Sequence, residues 1–335
     1  MQRADGDAVD AGRRRLILYS LLALLGAGPW LRAQSQPRLP RIGFLSLQSS
    51  KQRLESFASG MREFGYVDGK TVAIIWRLTQ GQAALLPDYA AELVKMKPDL
   101  IIAVEPQSVE AVRQLTSTIP IIFVVGQDPV GLGFAQSLAR PGGNITGSTS
   151  MSTDVCAKQI ELIRSVMPSA KRLTVLLNPT NKDGSLLLRS AYQAAAQKSG
   201  MSIAFHAASG EEQIEEGLAA AKNAQADVVI VAPDGFFVQI SGRIAALATQ
   251  KRLPSVFLQR EAVALGGLLS YGPDARDQFR RTGYYVHRIL RGANPAELPI
   301  EQPTRFITAV NLKTAKALGM GIAPGVLAQA DEVVH

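Results

Sequence analysis

Apolar runs short enough for buried strands alternate along this chain with longer segments of helical periodicity. In the first part of the chain, four such runs predict strands: RIGFLSL (41–47), TVAIIWRL (71–78), DLIIAVE (99–105) and IPIIFVVG (119–126). Apolar residues at helical spacing follow the first run from Leu54 to Phe64, and LPDYAAELVKM (86–96) reads as a second helix with Pro87 in its first turn. This part of the chain therefore predicts successive βα units.

The same rhythm then repeats. Strands are predicted at RLTVLLN (172–178), MSIAFHA (201–207), ADVVIVAPD (226–234) and LPSVFLQ (253–259), and helices at 184–199, 211–225 and 238–251. Two series of four βα units predict an α/β fold with two parallel sheets covered by helices. The duplication is one of pattern, because no clear residue-level repeat accompanies it.

The last part of the chain departs from that rhythm. A strand is predicted within 266–274, a long helix at 274–291 and a Pro-rich connector at 293–306. A helix at 311–320 starts at Asn311 as N-cap and stops at Gly319, and a final helix is predicted at 323–334.

Length and composition indicate the number of lobes and argue against some classes of protein. A chain of 335 residues exceeds one typical core, so we expect two lobes. The formal charge of +8 is spread without a basic stripe interleaved with aromatics, which argues against nucleic-acid binding. The single cysteine, Cys156, excludes an intramolecular disulfide and a cysteine zinc cluster, and its apolar surroundings favour a packed residue.

The N-terminus has the three-part layout of an export signal. A cationic start, with Arg13 and Arg14 in a twin-arginine-like pattern, precedes about fifteen mostly apolar residues from Leu16 to Trp30. That run is short for a membrane span, which needs about 20 residues. We expect residues 1–33 to be the signal, with cleavage after Ala33, and an uncleaved anchor is the alternative.

Motifs for catalysis, metal or cofactor binding do not emerge. The segment after Gly131 and Gly133 has Gln136 in place of the third glycine of a dinucleotide fingerprint, and no P-loop or nucleophile elbow occurs. The three histidines share no ligand spacing. We therefore expect no cofactor, no metal site and no enzyme activity.

Polar loops at predicted strand ends are the remaining candidates. Open α/β sheets bind ligands at the carboxyl ends of their strands, where helix starts suit a carboxylate and acidic side chains suit an amine. The candidate ligand-binding residues are Ser46, Gln48, Glu105, Gln107, Ser108, Gln127, Asp128, Asn178, Asp234, Glu261 and Tyr271. Each could instead be an N-cap or turn residue, but their coincidence at strand ends predicts a cleft.

The segment ARPGGNITG (139–147) joins the two series. Because no strand runs directly into the glycines and no Lys-Ser/Thr follows, it does not match a phosphate loop. We interpret Gly142, Gly143 and Asn144 as the first inter-lobe hinge: Pro141 ends a preceding helix, and Ile145 begins a strand of the second lobe.

Several stretches resemble one family. They are FGYVDGKTVAIIWR, LPDYAAELVKMKPDLIIA, STIPIIFVVGQDPVG, SLARPGGNITG, GGLLSYGPD, RILRGANPAELPIEQPTRF and NLKTAKALG, which together span nearly all of 41–334. The chain resembles the periplasmic solute-binding proteins of ABC uptake transporters, in the branch often described as tryptophan- or tyrosine-binding. Relatives often carry Gly or Ser where Gln127 stands, and small residues near Glu105, which puts an uncharged aromatic pocket in doubt.

The resemblance implies two Rossmann-like lobes of the type I periplasmic binding fold, joined by a three-segment hinge. Carried onto this chain, lobe one is 41–144 plus 273–298, and lobe two is 145–272 plus 299–335. It further implies a small-molecule ligand between the lobes, such as an amino acid or related carboxylate, a permease partner in the inner membrane, and a periplasmic, monomeric protein. The alternatives are a module that presents solute to a membrane receptor, and a cleft enzyme.

Overall fold

The computed structural model describes residues 38–47, 50–150 and 152–335. These residues contain twelve strands in two sheets. The first sheet contains β1 (Arg41–Ser46), β2 (Ala73–Leu78), β3 (Leu100–Val104), β4 (Ile121–Val125) and β5 (Ile145–Thr149). The second contains β6 (Arg172–Leu177), β7 (Ser202–Ala207), β8 (Val228–Val231), β9 (Ser255–Phe257), β10 (Leu269–Pro273), β11 (Phe306–Asn311) and β12 (Glu332–Val334). The export segment 1–33 lies outside the described residues.

Both sheets are wound in the same way. The first has the order β2-β1-β3-β4-β5, and the second runs β7-β6-β8-β9-β10-β11-β12. The first five strands of each sheet follow equivalent paths, which confirms the duplicated α/β pattern with two lobes. All pairs in the first sheet are parallel, whereas β10 and β11 pair antiparallel, so the second sheet is mixed rather than purely parallel.

Apolar alternation along the buried strands places helices on both faces of each sheet. The first sheet packs α1 (Lys51–Glu63), α2 (Leu86–Lys95), α3 (Pro106–Arg113) and α10 (Ala275–Leu290). The remaining helices are α4 (Ser152–Val166), α5 (Lys182–Lys198), α6 (Glu211–Asn223), α7 (Gly235–Gln239), α8 (Ser241–Gln250), α9 (Arg260–Ala264), α11 (Leu312–Ala317) and α12 (Pro324–Gln329). In β1, Phe44 faces α1 and α10, and Leu45 faces α2 and α3, as the two-residue period of a strand requires.

Helix α10 follows a strand of the second sheet but packs on the first. It lies against α1 so closely that a Cβ on Gly60 would stand 1.8 Å from the carbonyl oxygen of Arg280, and one on Gly283 would stand 2.4 Å from the Gly60 carbonyl. Two glycines thus allow the backbones to touch. Phe279, Tyr285, Val286 and Ile289 then complete the core over that face.

Two details differ from the sequence-based expectation for helices. The final helix ends at Gln329, and Glu332–Val334 instead form β12, which pairs in parallel with β11. No helix precedes Pro141, because residues 126–144 are turns and bends in which Pro129, Gly131 and Gly133 interrupt helical hydrogen bonding.

The first sheet also extends further along the chain than the sequence suggested. Residues 145–149 pair with β4 as the edge strand of the first sheet, whereas we expected them in the second lobe. Glu301 then bonds to this strand through Gly147 and Thr149, so residues near 300 also lie beside the first sheet. The chain therefore passes between the sheets after β5, between β10 and α10, and between Glu301 and β11.

Candidate functional site

The candidate site lies where the strand order of each sheet reverses direction. In the first sheet the chain moves outward from β1 to β2 and returns to β3 on the other side, and β6, β7 and β8 repeat that path. At such a switch point the loops leaving adjacent strands diverge and open a crevice at the carboxyl edge. Each sheet places one buried carboxylate there.

Glu105 is the carboxylate of the first sheet. It follows β3 and is 8% exposed. Its carboxylate accepts hydrogen bonds from the Ser46 hydroxyl at 3.2 Å and from the Leu47 backbone N–H at 3.0 Å, both at the end of β1. The neighbouring strand therefore fixes the direction of this side chain.

The backbone of Glu105 is unusual for a residue with a side chain. Its φ of 65° and ψ of 150° fall in a region that glycine occupies almost exclusively, at a cost of about 1–3 kcal/mol for other residues. The surrounding bonds hold it there: its N–H donates to the Val124 carbonyl, and its carbonyl accepts from Ser108 and Val109 at the start of α3. Such strain persists only where the surrounding structure enforces it, and strained residues cluster at functional sites.

Asp234 is the corresponding carboxylate of the second sheet. It follows β8, and its Oδ1 accepts 2.8 Å from the side-chain amide of Asn178, which follows β6, and 2.9 Å from the Phe236 N–H. Burial raises the pKa of the Asp234 carboxyl, and these hydrogen bonds, with one from Gln107, oppose the rise without cancelling it. The Ser46–Glu105 and Asn178–Asp234 pairs thus both lie at the carboxyl ends of the corresponding strands of the two sheets.

The opposite edges of the sheets carry a second equivalence. Asp99, just before β3, accepts from the Arg41 N–H at 2.7 Å, and Asp227, just before β8, accepts from the Arg172 N–H at 2.8 Å. The sequence showed no such correspondence, because the residues between these positions differ in number and kind. It supports a common winding of the two halves.

Side chains from the first sheet reach residues of the second across the crevice. Gln107 Nε2 donates to Asp234 Oδ2 at 3.2 Å, and Gln127 Nε2 donates to the Pro233 carbonyl at 3.4 Å. A Cβ on Gly235 would lie 3.0 Å from Glu105 Cγ and from Leu47 Cβ, so a side chain there would displace these neighbours by a few tenths of an ångström. The two carboxylate-bearing loops are therefore in contact range of each other.

Arg53 supplies the positive charge on the same cavity. It lies on the buried face of α1 at 6% exposed, with its guanidinium 5.6 Å from the Phe279 ring centroid. Burial lowers the pKa of the Arg53 guanidinium, and the nearby Glu261 and Glu105 raise it. A buried guanidinium beside carboxylates is suited to binding an anionic group with fixed geometry.

These groups line a cavity of about 70 Å³ between the two sheets. Its polar lining comprises Arg53, Glu105, Gln107, Gln127, Ser150, Asn181, Asp234, Gln259 and Gln278. Three buried lining atoms have no hydrogen-bond partner within the described residues: Gln107 Oε1, Gln127 Oε1 and Gln278 Nε2. Because buried polar atoms are normally paired, the cavity offers two acceptors and one donor to a ligand.

A family model for ABC transporter substrate-binding proteins matches residues 42–334. The chain belongs to this family. Its members are solute-binding proteins, which accords with the absence of catalytic motifs in the sequence.

Similar proteins support this assignment. A tyrosine-binding protein of Clostridioides difficile is 26% identical over 276 residues, covering 82% of this chain and 78% of the relative. A Streptococcus pneumoniae ABC domain in complex with L-Trp has a TM-score of 0.81 at 24% identity, covering 88% of this chain and 100% of that one. A conserved domain protein of Vibrio cholerae has a TM-score of 0.83 at 24% identity with the same coverage. The structural neighbours show that this chain has their fold.

The substrate-binding protein brings together only some of the residues expected at its site. Glu105, Gln107, Gln127 and Asp234 line the cavity, while Ser46 and Asn178 lie one layer behind and orient the two carboxylates. Gln48 lies outside the described residues. The strand-end argument therefore predicted the edge of both sheets at which this cavity lies.

Other candidates serve local structure instead. Asp128 accepts from the Val130 N–H in a turn, and Ser108 is buried in the first turn of α3 outside the cavity lining. Glu261 lies 3.9 Å from Arg276 in an ion pair, and Tyr271 stacks on Phe306 with ring centroids 5.7 Å apart.

Five of the nine polar lining residues were not among the candidates, namely Arg53, Ser150, Asn181, Gln259 and Gln278, and neither was the Phe279 ring. A signal existed for Arg53, since it precedes Phe57 by four residues and so falls on the apolar face of α1. Gln278 and Phe279 belong to α10, which reaches the site only because it crosses back to the first sheet. Nothing in their local sequence indicated this.

The residues expected as a hinge, Gly142, Gly143 and Asn144, lie away from the positions where the chain passes between the sheets. The Asn144 carbonyl accepts from the Ile121 N–H at the start of β4, and its side-chain amide donates to the Ile119 carbonyl, so this segment lies at the amino edge of the first sheet. The chain needs five more residues of β5, at about 3.3 Å each, to reach the edge where it crosses. Gly142 and Gly143 adopt φ values of 73° and 72° in this turn, a conformation that glycine adopts more readily than other residues.

The described residues contain no group of three or more His, Cys, Asp and Glu placed to hold a metal ion. Within the same residues no helix combines the length and apolarity that crossing a bilayer requires.

Proposed function

We propose that this substrate-binding protein captures an amino acid or a related carboxylate between its two lobes and delivers it to an inner-membrane permease. The observation that carries the proposal is the cavity between the sheets, where a buried guanidinium and two buried carboxylates converge. An α-amino acid presents one carboxylate and one ammonium, which Arg53 and the acidic pair complement. The tyrosine-binding relative and the neighbour in complex with L-Trp support an amino acid ligand.

The bounds of the two lobes are part of the proposal, and they are taken from the sheet to which each segment belongs. We propose that residues 41–149 and 275–301 form one lobe, and that 152–273 and 306–335 form the other, with the three crossings as the hinge. Contacts such as Gln107–Asp234 exist only when the lobes approach, and a ligand that bridges them favours the closed state. Shifting a population from mostly open to mostly closed needs about 5.5 kcal/mol of differential binding.

Location and partners are part of the same proposal. Residues 1–33 act as an export signal that is cleaved after Ala33, and the mature protein works in the periplasm as a monomer. The closed lobes present one continuous face to the permease.

Mass spectrometry of small molecules that co-purify with the protein tests the ligand class directly. We expect an amino acid or a related carboxylate, and we expect small-angle scattering to show compaction when that compound is returned to stripped protein. A protein that carries no such compound, and whose radius of gyration is unchanged by a full amino acid panel, is not an amino acid receptor.

A further inference from the structure

The charges that line the cavity do not balance. Arg53 is its cationic side chain, and Glu105 and Asp234 are its carboxylates, within the described residues. Glu261 lies nearby but outside the lining, and it pairs with Arg276. The lining therefore has one more carboxylate than guanidinium.

A zwitterionic amino acid leaves that imbalance in place, because it adds one charge of each sign. An uncompensated charge buried in a cavity is costly, and two carboxylates that share a site disfavour one another's ionisation. A ligand with two cationic nitrogens and one carboxylate makes the loaded cavity neutral. Charge balance thus favours a dibasic amino acid over a neutral one.

The buried amide oxygens that have no hydrogen-bond partner also favour a cationic ligand. Gln107 and Gln127 both donate their amide nitrogens to fixed acceptors, so their Oε1 atoms are left to accept. Gln127 is 2% exposed, and its oxygen can bond only to something within the cavity. An ammonium carries three donors, and two ammonium groups supply the donors that two carboxylates and two amide oxygens require.

Glu105 also restricts size. Its side chain fills the space beside Gly235, where even a Cβ would stand 3.0 Å from it, and the cavity measures about 70 Å³. Pockets for drug-sized ligands measure roughly 300–1,000 Å³. A cavity this small beside the glutamate favours a compact side chain over an indole or phenol ring.

We propose that the solute is a compact amino acid with a second cationic nitrogen, and that Glu105 is the residue that selects it. This inference rests on the proposed function, because it assumes that an amino acid occupies the cavity. Arg53 and Gln278 Nε2 bind the ligand carboxylate, and Glu105, Asp234 and the two amide oxygens bind its nitrogens.

Calorimetry with a matched ligand pair tests the proposal. L-Ornithine and L-norvaline share the same carbon chain and differ by the terminal nitrogen, and L-tryptophan and L-tyrosine test size. We expect ornithine to bind the purified full chain at least tenfold more tightly than norvaline, and the aromatic amino acids to bind more weakly than ornithine. In Glu105→Gln the ornithine preference should fall by about tenfold.

Two further variants make the outcome interpretable. Glu110→Gln removes a carboxylate from the same helix, where Glu110 pairs with Arg113 outside the cavity lining, and it should keep the preference of the unaltered protein. If circular dichroism shows that Glu105→Gln is not folded, Asp234→Asn removes one carboxylate from the other side and should likewise weaken ornithine selectively.

The failures are distinguishable. Norvaline, tryptophan or tyrosine binding as tightly as ornithine overturns the charge inference while leaving an amino acid receptor in place. An ornithine preference that survives both carboxylate variants also overturns it. If no amino acid binds at all, the proposed function fails together with the inference.

Discussion

Gln107, at the start of α3, donates a 3.2 Å hydrogen bond to Asp234, in the loop after β8. The bond connects elements built on different sheets, and its acceptor is also held by Asn178 from the adjacent strand. A side chain of one lobe is therefore bonded to a group whose position the other lobe has already fixed. This is the arrangement expected of a contact that is made on closure.

Removing either partner should weaken ligand capture. A hydrogen bond to a charged group contributes about 1.5–3 kcal/mol, which is about tenfold to hundredfold in the dissociation constant. We expect Gln107→Ala and Asp234→Ala each to weaken binding of the co-purified solute, with a coupling energy of about 0.5–3 kcal/mol in a double-mutant cycle measured by calorimetry.

Gln114→Ala is the matched control for that cycle. It lies at the end of the same helix, is exposed, and bonds to Glu110. It should bind the solute as the unaltered protein does. Additive losses for Gln107 and Asp234 would show that the bond between them contributes nothing to the bound state.

The backbone conformation of Glu105 predicts that glycine is more stabilising than alanine at this position, the reverse of the usual order. Ala normally stabilises a position relative to Gly by about 0.4–1 kcal/mol, because it restricts the unfolded chain. At φ 65° and ψ 150° the opposite should hold, with Glu105→Gly more stable than Glu105→Ala by about 1–3 kcal/mol in denaturant unfolding.

The same pair of substitutions at Glu110, inside α3, supplies the comparison. There Ala should be the more stable variant by about 1 kcal/mol. If Ala is also the more stable residue at position 105, the backbone at that position is not strained.

Asp234 makes the stability of the ligand-free protein depend on pH. Burial raises the pKa of this carboxyl above its ordinary value of 3.8, so the folded protein binds more protons than the unfolded chain between that value and the raised one. The free energy of unfolding therefore falls as pH rises through this window. Asp234→Asn, which stays neutral, should be more stable than the unaltered protein at pH 7, and the difference should shrink as the pH approaches 3.8.

Denaturant unfolding at pH 4, 5.5 and 7 measures this trend. Asp88→Asn, at an exposed aspartate in the first turn of α2, serves as the control for the loss of one carboxylate from the surface. A stability gain for Asp234→Asn that is constant with pH would assign the effect to packing rather than ionisation.

A substitution at Gly143 distinguishes a role in forming the turn from a role in hinge motion. Its φ is 72°, and a Cβ there would meet no atom within 4 Å, so alanine introduces backbone strain of about 1–2 kcal/mol without a clash. Since this turn lies at the amino edge of the first sheet, Gly143→Ala should lower the free energy of unfolding and leave solute affinity unchanged. A change in affinity that exceeds the change in stability would restore Gly143 to the hinge.

Local sequence determined much of this protein. The alternation of apolar runs and helical spacing is enough to predict both series of βα units, because buried parallel strands need continuous apolar residues and their covering helices need one apolar face. The polar residues that follow β3 and β8 could be placed at a ligand edge for the same reason, since the carboxyl ends of parallel strands meet there. Glu105, Gln107, Gln127 and Asp234 were predicted in this way, and they line the cavity.

Tertiary structure decided what no window of sequence contains. Gln278 and Phe279 reach the cavity because α10 leaves the second sheet and packs on α1 through Gly60 and Gly283. The place where the chain crosses between lobes depended on whether β5 pairs with β4 or with a strand of the other sheet, and strand pairing is a contact between distant residues. The glycines of ARPGGNITG indicated a turn correctly, but only the sheet to which the next strand belongs could show at which edge that turn lies.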